Sequence, residues 1–280
     1  MDESRLPEDA LHALQRLRLE QGAEEAASAE DAVAVEEPLE IRIRGQAYAV
    51  LMRTPGRERD LIAGFLASEG VVHGCEDLPA IEACRNPESR EAEPNIWNVA
   101  LAEGIAFQPR SGSGMVSASC GLCGTQSLED LKKQVPETRK RGSWDLSLEG
   151  LQGGFAELRR RQGLFARTAG SHGVGLWSPQ SGLCDVAEDV GRHNAVDKVL
   201  GAQLLADAYP LEHAKVLLVS GRISFELVQK AALAGVAALA GVGMPTSLAV
   251  QAAEEMDLGL LGWVRDAGAN LYAGSLRLKP

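Results

Sequence analysis

Apolar and charged residues alternate over a short stretch near the start of the chain, and this alternation predicts a β-hairpin. Leu39, Ile41 and Ile43 are separated by charged residues, which is the pattern of a strand with one buried face. Gly45-Gln46 supplies a turn, and residues 48–52 form the predicted returning strand. We therefore expect the folded part of the chain to begin with β-structure, from Pro38 onwards.

A helical stripe follows this hairpin. Within Glu58–Ser68, the residues Leu61, Ile62, Phe65 and Leu66 recur at the spacing that places them on one face of a helix. Similar patterns predict a strand at Trp97–Leu101 and helices near Leu11–Glu20, Leu128–Gln134 and Leu148–Arg161.

From Phe165 onwards, short apolar segments alternate with helical ones. Strands are predicted at Gly173–Trp177, Val216–Val219, Val236–Val242 and Leu258–Val264, with helices at Asn194–Leu205, Phe225–Ala234 and Ser247–Met256. Strand–helix–strand units of this length favour a mainly parallel sheet that is covered by helices on both faces. The predicted fold class is therefore α/β, with an added N-terminal β-rich portion.

Charge is unevenly distributed along the chain. The 280 residues carry a net charge of −11, and the first 37 residues alone hold eleven acidic residues against three arginines. This acidity argues against a nucleic-acid partner, which requires a basic face. The acidic extension is expected to be solvated and disordered. Between Asp130 and Arg167 the sign reverses, with nine basic residues against five acidic ones, so this stretch can serve an anionic ligand or partner.

No segment has the pattern of a signal peptide or of a membrane span. The most apolar run, Ala231–Met244, is shorter than the ~20 helical residues that cross a bilayer. We therefore expect a cytoplasmic protein without a membrane partner, whose five cysteines are mostly reduced thiols.

Two cysteines in a glycine- and serine-rich segment are the first candidates for chemistry. Arg110–Gly124 holds Cys120 and Cys123, and no second pair with this spacing exists elsewhere in the chain. A structural zinc site needs four ligands, so we expect no resident metal. A structural role and a thiol–disulfide redox pair remain alternatives. The glycine- and serine-rich residues that precede Cys120 favour a nucleophile that moves between a donor and an acceptor.

Further candidates lie in the later part of the chain. Glu188–Lys198 packs six ionisable side chains into eleven residues, although a capped helix with a surface salt bridge explains the same pattern. Ser220–Glu226 and Pro245–Ser247 each follow a strand and begin a helix, an arrangement that points free backbone N–H groups at an anion. Trp263–Gly268 also lies beyond a predicted strand, where α/β sheets bind ligands.

Taken together, these motifs resemble the formate dehydrogenase accessory sulfurtransferase family. The resemblance rests on EDVGRHNAVDKV, LLVSGRISFELVQKAA, PTSLAV and ASCGLCG, and on EEPLEIRI, RTPGRERDLIAGFLASEGVV and the region of Thr168 and His172. It covers about Glu36 to Tyr272. The family resemblance implies a three-layer α/β/α sandwich similar to the cytidine deaminase fold, and a homodimer.

The resemblance also implies a function. Family members accept a sulfane sulfur from a cysteine desulfurase as a persulfide on the CxxC loop. They pass it to the molybdenum or tungsten bis-guanine-dinucleotide cofactor (Mo-bis(molybdopterin guanine dinucleotide)) of formate dehydrogenase. Carried over by position, Cys120 bears the persulfide and Cys123 assists it. The cofactor contacts fall on Trp263, Val264, Arg265, Asp266, Ala267 and Gly268, with His193, Gly221 and Arg222 as further candidates.

Two other functions compete with sulfur transfer. A zinc-dependent deaminase needs His or Cys two residues before a catalytic Glu and then Pro-Cys-x-x-Cys, whereas Ser119 precedes Cys120 here, so this alternative is rejected. A non-catalytic carrier or chaperone for the molybdenum cofactor would keep the anion-binding turns without depending on Cys120. This second alternative stays open at the level of sequence.

The same patterns divide the chain into four expected regions. These are the acidic extension (1–37), the β-rich portion (38–109), a mobile CxxC loop (110–127) and the α/β domain (128–280).

Overall fold

The structure, a computed structural model, describes residues 8–18, 27–107, 135, 144–211 and 215–279. The predicted CxxC loop and the predicted helix near Leu128–Gln134 therefore lie outside the described residues. Its strands are β1 (Leu11–Arg18), β2 (Ala27–Ala34), β3 (Glu37–Ile43), β4 (Gln46–Arg53), β5 (Ala80–Arg85), β6 (Ala92–Ala100), β7 (Trp144–Ser147), β8 (His172–Ser178), β9 (Gly182–Asp189), β10 (Val216–Val219), β11 (Ala238–Gly241), β12 (Gly259–Arg265), β13 (Gly268–Ala273) and β14 (Leu276–Lys279). Its helices are α1 (Glu58–Ser68), α2 (Leu148–Arg161), α3 (Gly163–Thr168), α4 (Arg192–Leu205), α5 (Phe225–Leu233) and α6 (Ser247–Glu255).

The alternating segments near the N-terminus form a four-stranded sheet with the order β4-β3-β6-β5. β3 runs antiparallel to β4 and parallel to β6. Leu39, Ile41 and Ile43 pack with Leu61 and Ile62 of α1 in one apolar core. The predicted hairpin is confirmed, and α1 has its predicted bounds.

A six-stranded sheet with the order β13-β12-β11-β10-β8-β9 forms the centre of the C-terminal part. Only β10, β11 and β12 are parallel, while β8, β9 and β13 run antiparallel to their neighbours. The prediction of a mainly parallel sheet was therefore wrong. The connections from β8 to β9 and from β12 to β13 are tight turns, and such short connections join antiparallel strands.

Helices cover both faces of this sheet, as predicted. Leu176 and Leu217 face an apolar core shared with α4, α5 and α6. Their neighbours Trp177 and Leu218 point to the opposite face, where they pack with Leu158 of α2. The α/β class is thus confirmed, whereas the closer similarity to the cytidine deaminase fold stays a prediction.

Two glycines allow α1 to cross α4 at close range and thereby join the two parts of the chain. A Cβ atom at Gly64 would collide with the backbone carbonyl of Asp197, and one at Gly201 would collide with the carbonyl of Asp60. The two helix backbones are therefore in direct contact, which leaves no room for a side chain between them.

The acidic extension differs from its prediction. A helix was expected near Leu11–Glu20 within a disordered segment, but β1 pairs with β2 as an antiparallel hairpin, so the helix prediction was wrong. Cross-strand partners explain the outcome, because Arg16 forms an ion pair with Asp31 and Gln15 lies opposite Glu30. Among the described residues, no helix combines the length and apolar character needed to span a bilayer.

Candidate functional site

A pocket of about 980 Å³ opens where β10, β11 and β12 end. This is the edge of the sheet at which α/β folds bind ligands. Helices α2 and α3 form the opposite wall. The lining includes six residues that the sequence motifs singled out: His172, Gly221, Val264, Arg265, Asp266 and Ala267. The structure therefore brings the C-terminal segment together with the turn after β10.

Residues 263–266 lie at the rim of the pocket, where an unusual backbone conformation and a neighbouring side chain hold them in place. Trp263 has a left-handed φ of 54°, which is rare for a bulky residue, and its register with β13 is interrupted by a bulge. Its indole is half exposed and lies 4.6 Å from the Arg265 guanidinium. Gln152 of α2 donates hydrogen bonds to the carbonyls of Arg265 (2.7 Å) and Asp266 (3.1 Å). These contacts fix the rim against α2.

The helical wall is apolar with one stacked cation. Phe155, Leu158 and Phe165 line this side of the pocket. The guanidinium of Arg159 lies over the Phe165 ring at 4.1 Å from its centroid. The wall therefore offers apolar side chains together with an exposed positive charge that is stacked on Phe165.

Two nitrogen-bearing side chains, Gln162 and His172, also line the pocket. Gln162 is only 3% exposed, and its Nε2 has no hydrogen-bond partner among the described residues. Burial lowers the pKa of the half-buried His172 imidazole, and the positive charge of Arg192 lowers it further, while Asp189 opposes the shift. His172 is consequently neutral at pH 7. Sequence reasoning missed Gln162, because a single glutamine at a helix end carries no periodic signal.

Glu188 supports the helical wall of the pocket through hydrogen bonds. Its carboxylate accepts hydrogen bonds from the backbone N–H groups of Leu164 and Phe165 and from the Ser171 hydroxyl, each at 2.8 Å. It thus anchors the first turn of α3 and the residue that precedes His172. The EDVGRHNAVDK motif predicted a cluster of charges here, but not this supporting role.

The rest of that motif ties the two parts of the chain together. The Asp189 carboxylate accepts hydrogen bonds from the Thr54 N–H (3.1 Å) and the Asn194 side-chain amide (3.0 Å), and pairs with Lys198 at 2.8 Å. Asp197 pairs instead with Lys230 at 2.7 Å. The surface salt bridge expected for a capped helix is therefore replaced by buried ion pairs.

The remaining predicted residues lie next to the pocket or outside the described chain. His193 is buried, with Nε2 at 3.3 Å from the Ser224 hydroxyl and 3.7 Å from the Glu226 carboxylate, and it is absent from the pocket lining. Arg222 is exposed and also absent from the lining. Gly268 begins β13 beside the rim. Cys120 and Cys123 fall outside the described residues.

Family membership follows from comparison with known proteins. A model of the FdhD/NarQ family matches residues 34–279. Three curated relatives are each named sulfur carrier protein FdhD. The Nocardia farcinica protein is 41% identical over 251 residues and covers 89% of each chain. The Anaeromyxobacter sp. protein is 43% identical over 258 residues, covering 89% of this chain and 88% of the relative. The Mycobacterium tuberculosis protein is 40% identical over 263 residues, covering 91% and 95%.

A solved structure shares the fold. It belongs to a protein from Desulfotalea psychrophila that is described as a formate dehydrogenase accessory protein. The two structures superimpose with a TM-score of 0.72 over 95% of this chain and 97% of the other, at 23% sequence identity.

Proposed function

The chain belongs to the FdhD/NarQ family, and from this membership we propose that it transfers sulfur for formate dehydrogenase. In this proposal Cys120 accepts a sulfane sulfur from a cysteine desulfurase as a persulfide. The acceptor is the molybdenum or tungsten bis-guanine-dinucleotide cofactor, which the protein binds as a substrate before formate dehydrogenase receives it. As the family resemblance implies, the protein works as a homodimer.

The pocket at the end of the parallel strands is the observation that carries the cofactor part of the proposal. It gathers Val264, Arg265, Asp266 and Ala267, four of the six residues proposed to contact the cofactor, together with Gly221. Its volume of about 980 Å³ lies at the upper end of the ~300–1,000 Å³ that buries a drug-sized ligand. We infer that it takes one arm of the cofactor.

The residues present suit such an arm. Arg159 and Arg265 provide positive charge near solvent for phosphates, and guanidinium groups bind phosphate through paired hydrogen bonds. The apolar side chains of Phe155 and Leu158 in the same lining suit an aromatic ring. The acidic side chain of Asp266 lies exposed at the same rim, so the arginines must outweigh it.

Sulfur transfer through the two loop cysteines consists of two thiol exchange steps. The Cys120 thiolate attacks the terminal sulfur of the desulfurase persulfide, which forms the Cys120 persulfide and frees the desulfurase thiolate. Attack of the Cys123 thiolate on Cys120 Sγ then releases hydrosulfide to the acceptor and leaves a Cys120–Cys123 disulfide. A cellular thiol reductant restores both thiols for the next cycle. Cys120 thus carries the sulfur, and Cys123 releases it to the acceptor.

Activation of formate dehydrogenase separates this function from that of a non-catalytic cofactor carrier. The assay contains the apoenzyme, the cofactor source, a desulfurase and cysteine. Cys120→Ser should abolish activation while leaving GDP binding intact, and Cys123→Ala should impair it less. Cys184→Ser, which changes an exposed free thiol, is the matched control and should activate normally. Full activation by Cys120→Ser would favour the carrier.

A further inference from the structure

Gln152 of α2 lines the pocket with a side-chain amide whose orientation is fixed by its neighbours. Its Nε2 donates to the carbonyls of Arg265 (2.7 Å) and Asp266 (3.1 Å), which uses both hydrogens of the amide. Carbonyl oxygens only accept hydrogen bonds, so a rotated amide would place its own oxygen against two others. The nitrogen of Gln152 is therefore occupied, and its oxygen is the atom that remains for other partners.

This amide oxygen is an accessible acceptor without a protein donor. Gln152 is half-buried, and among the described residues its Oε1 forms no hydrogen bond and is not an inaccessible atom. The Asp266 carboxylate, which also lines the pocket, is exposed and accepts no hydrogen bond from a described residue. The Arg265 guanidinium donates to the Val264 carbonyl at 3.2 Å instead. This side of the pocket thus favours a ligand group that donates hydrogen bonds.

Two further residues of α2 continue the lining from Gln152. Phe155 and Arg159 follow it by three and seven residues, the spacing that places side chains on one face of a helix. Gln152 and Arg159 are consequently separated by about 10 Å along the helix axis. The helix presents an acceptor, an aromatic ring and a cation to the pocket in this order. The order matches a nucleotide followed from the amino group of its base, across the base, to its phosphates.

We propose that Gln152 recognises the amino group that guanine and pterin rings share. The amide oxygen accepts a hydrogen bond from this amino group, the ring packs on Phe155, and the phosphates lie toward Arg159. Hypoxanthine lacks the amino group, and lumazine carries a carbonyl in its place, so neither ring can donate to Oε1 from that position. This inference rests on the proposed function, because that function supplies a cofactor with guanine and pterin rings.

Titration calorimetry on the full chain tests the inference with two pairs of probes, GDP with IDP and pterin with lumazine. The members of each pair differ at the amino position. Wild-type protein should bind the amino-bearing member about tenfold more tightly, in the pair whose ring occupies this side of the pocket. Gln152→Met, which removes the amide and keeps a side chain of similar length, should abolish this preference. Gln229→Met in α5, outside the pocket lining, is the matched control and should keep it.

The preference within a pair separates recognition from a structural role. If Gln152 only holds residues 265 and 266, Gln152→Met should weaken both members of a pair equally, and this result would overturn the inference. Gln152→Lys keeps a donor for the two carbonyls and removes the acceptor, so it should also lose the preference. Thermal melting shows that each variant is folded.

The two pairs also separate the two rings. A preference for GDP over IDP assigns this side of the pocket to guanine, and a preference for pterin over lumazine assigns it to the pterin. Either result supports the inference if Gln152→Met removes the preference. A preference that is absent from wild type, or retained in Gln152→Met, would overturn the inference but not the proposed function. Wild-type protein that binds none of the four probes would overturn the cofactor assignment of the pocket as well.

Discussion

Asp189 and Lys198 form an ion pair at 2.8 Å in which both side chains are almost entirely buried. Asp189 ends β9, and Lys198 is the seventh residue of α4. The Lys198 ammonium also donates to the carbonyl of Thr54 at 2.9 Å, while Asp189 accepts from the Thr54 N–H. The pair therefore fixes the end of the N-terminal sheet against the strand whose Glu188 braces the pocket.

Breaking this pair should destabilise the protein strongly. Asp189→Asn leaves the Lys198 charge buried without its counterion, which typically costs about 3–5 kcal/mol of unfolding free energy. Urea unfolding followed by circular dichroism measures the change. Glu157→Gln, which breaks the solvent-accessible pairs with Arg160 and Arg161, is the control and should leave the unfolding midpoint nearly unchanged. An unfolding midpoint for Asp189→Asn equal to that of the control would show that the ion pair does not stabilise the fold.

The contact between α1 and α4 predicts a second stability effect. Gly64→Ala places a methyl group against the Asp197 carbonyl, and the two helices must separate to admit it. We expect a loss of about 3 kcal/mol, at the upper end of typical overpacking. Gly153→Ala in α2 has nothing within 4 Å of the new Cβ and should stabilise the helix slightly. Equal thermal melting of the two variants would contradict the close helix crossing.

His172 predicts a pH dependence of stability. Its pKa is lowered in the folded state, so between its usual value near 6.5 and the folded value the unfolded chain binds more protons. Its stabilising contribution is complete above pH 6.5 and is lost as pH falls through the folded pKa. The unfolding free energy of the wild type should therefore fall as pH falls below 6.5. In His172→Gln this fall should be shallower, and the difference in slope should correspond to at most about one bound proton. Parallel curves for variant and wild type would show that His172 is not shielded from protonation.

Arg265 and Arg222 should differ in their effect on nucleotide binding. Arg265 lines the pocket, whereas Arg222 is exposed outside its lining. Arg265→Ala should weaken GDP binding by about 1.5–3 kcal/mol, the usual scale for a hydrogen bond to a charged group. Arg222→Ala removes the same charge from the chain and should leave the dissociation constant close to that of wild type. A larger loss in Arg222→Ala would move the phosphate site to the turn after β10.

Local patterns predicted the elements whose apolar residues recur with a regular period. α1 and α2 have their predicted bounds because an apolar stripe is a local signal. β9 escaped prediction because Asp185 and Glu188 interrupt its apolar residues. The partners of these acids, Arg57 and the start of α3, are distant in sequence. The antiparallel direction of β8 and β9 likewise depends on turn length rather than on composition.

The residues of the candidate site likewise divide into those that local motifs predict and those that depend on the fold. The segment 264–267 and Gly221 could be selected from motifs, because they follow predicted strands. Gln162 could not, since its place in the lining arises from burial and from the space left by Gly173. Such groups become visible only when the fold brings α2, α3 and β8 together.

Sulfur loading of Cys120 tests the central claim most directly. The full chain is incubated with a cysteine desulfurase and cysteine, and its intact mass is measured before and after treatment with a thiol reductant. The account predicts one added sulfur atom per chain, located on the peptide that contains Cys120, lost on reduction and absent from Cys120→Ala. Cys123→Ala should still acquire the sulfur. A wild-type chain that gains no sulfur, or a Cys120→Ala chain that gains it as readily, would contradict the account.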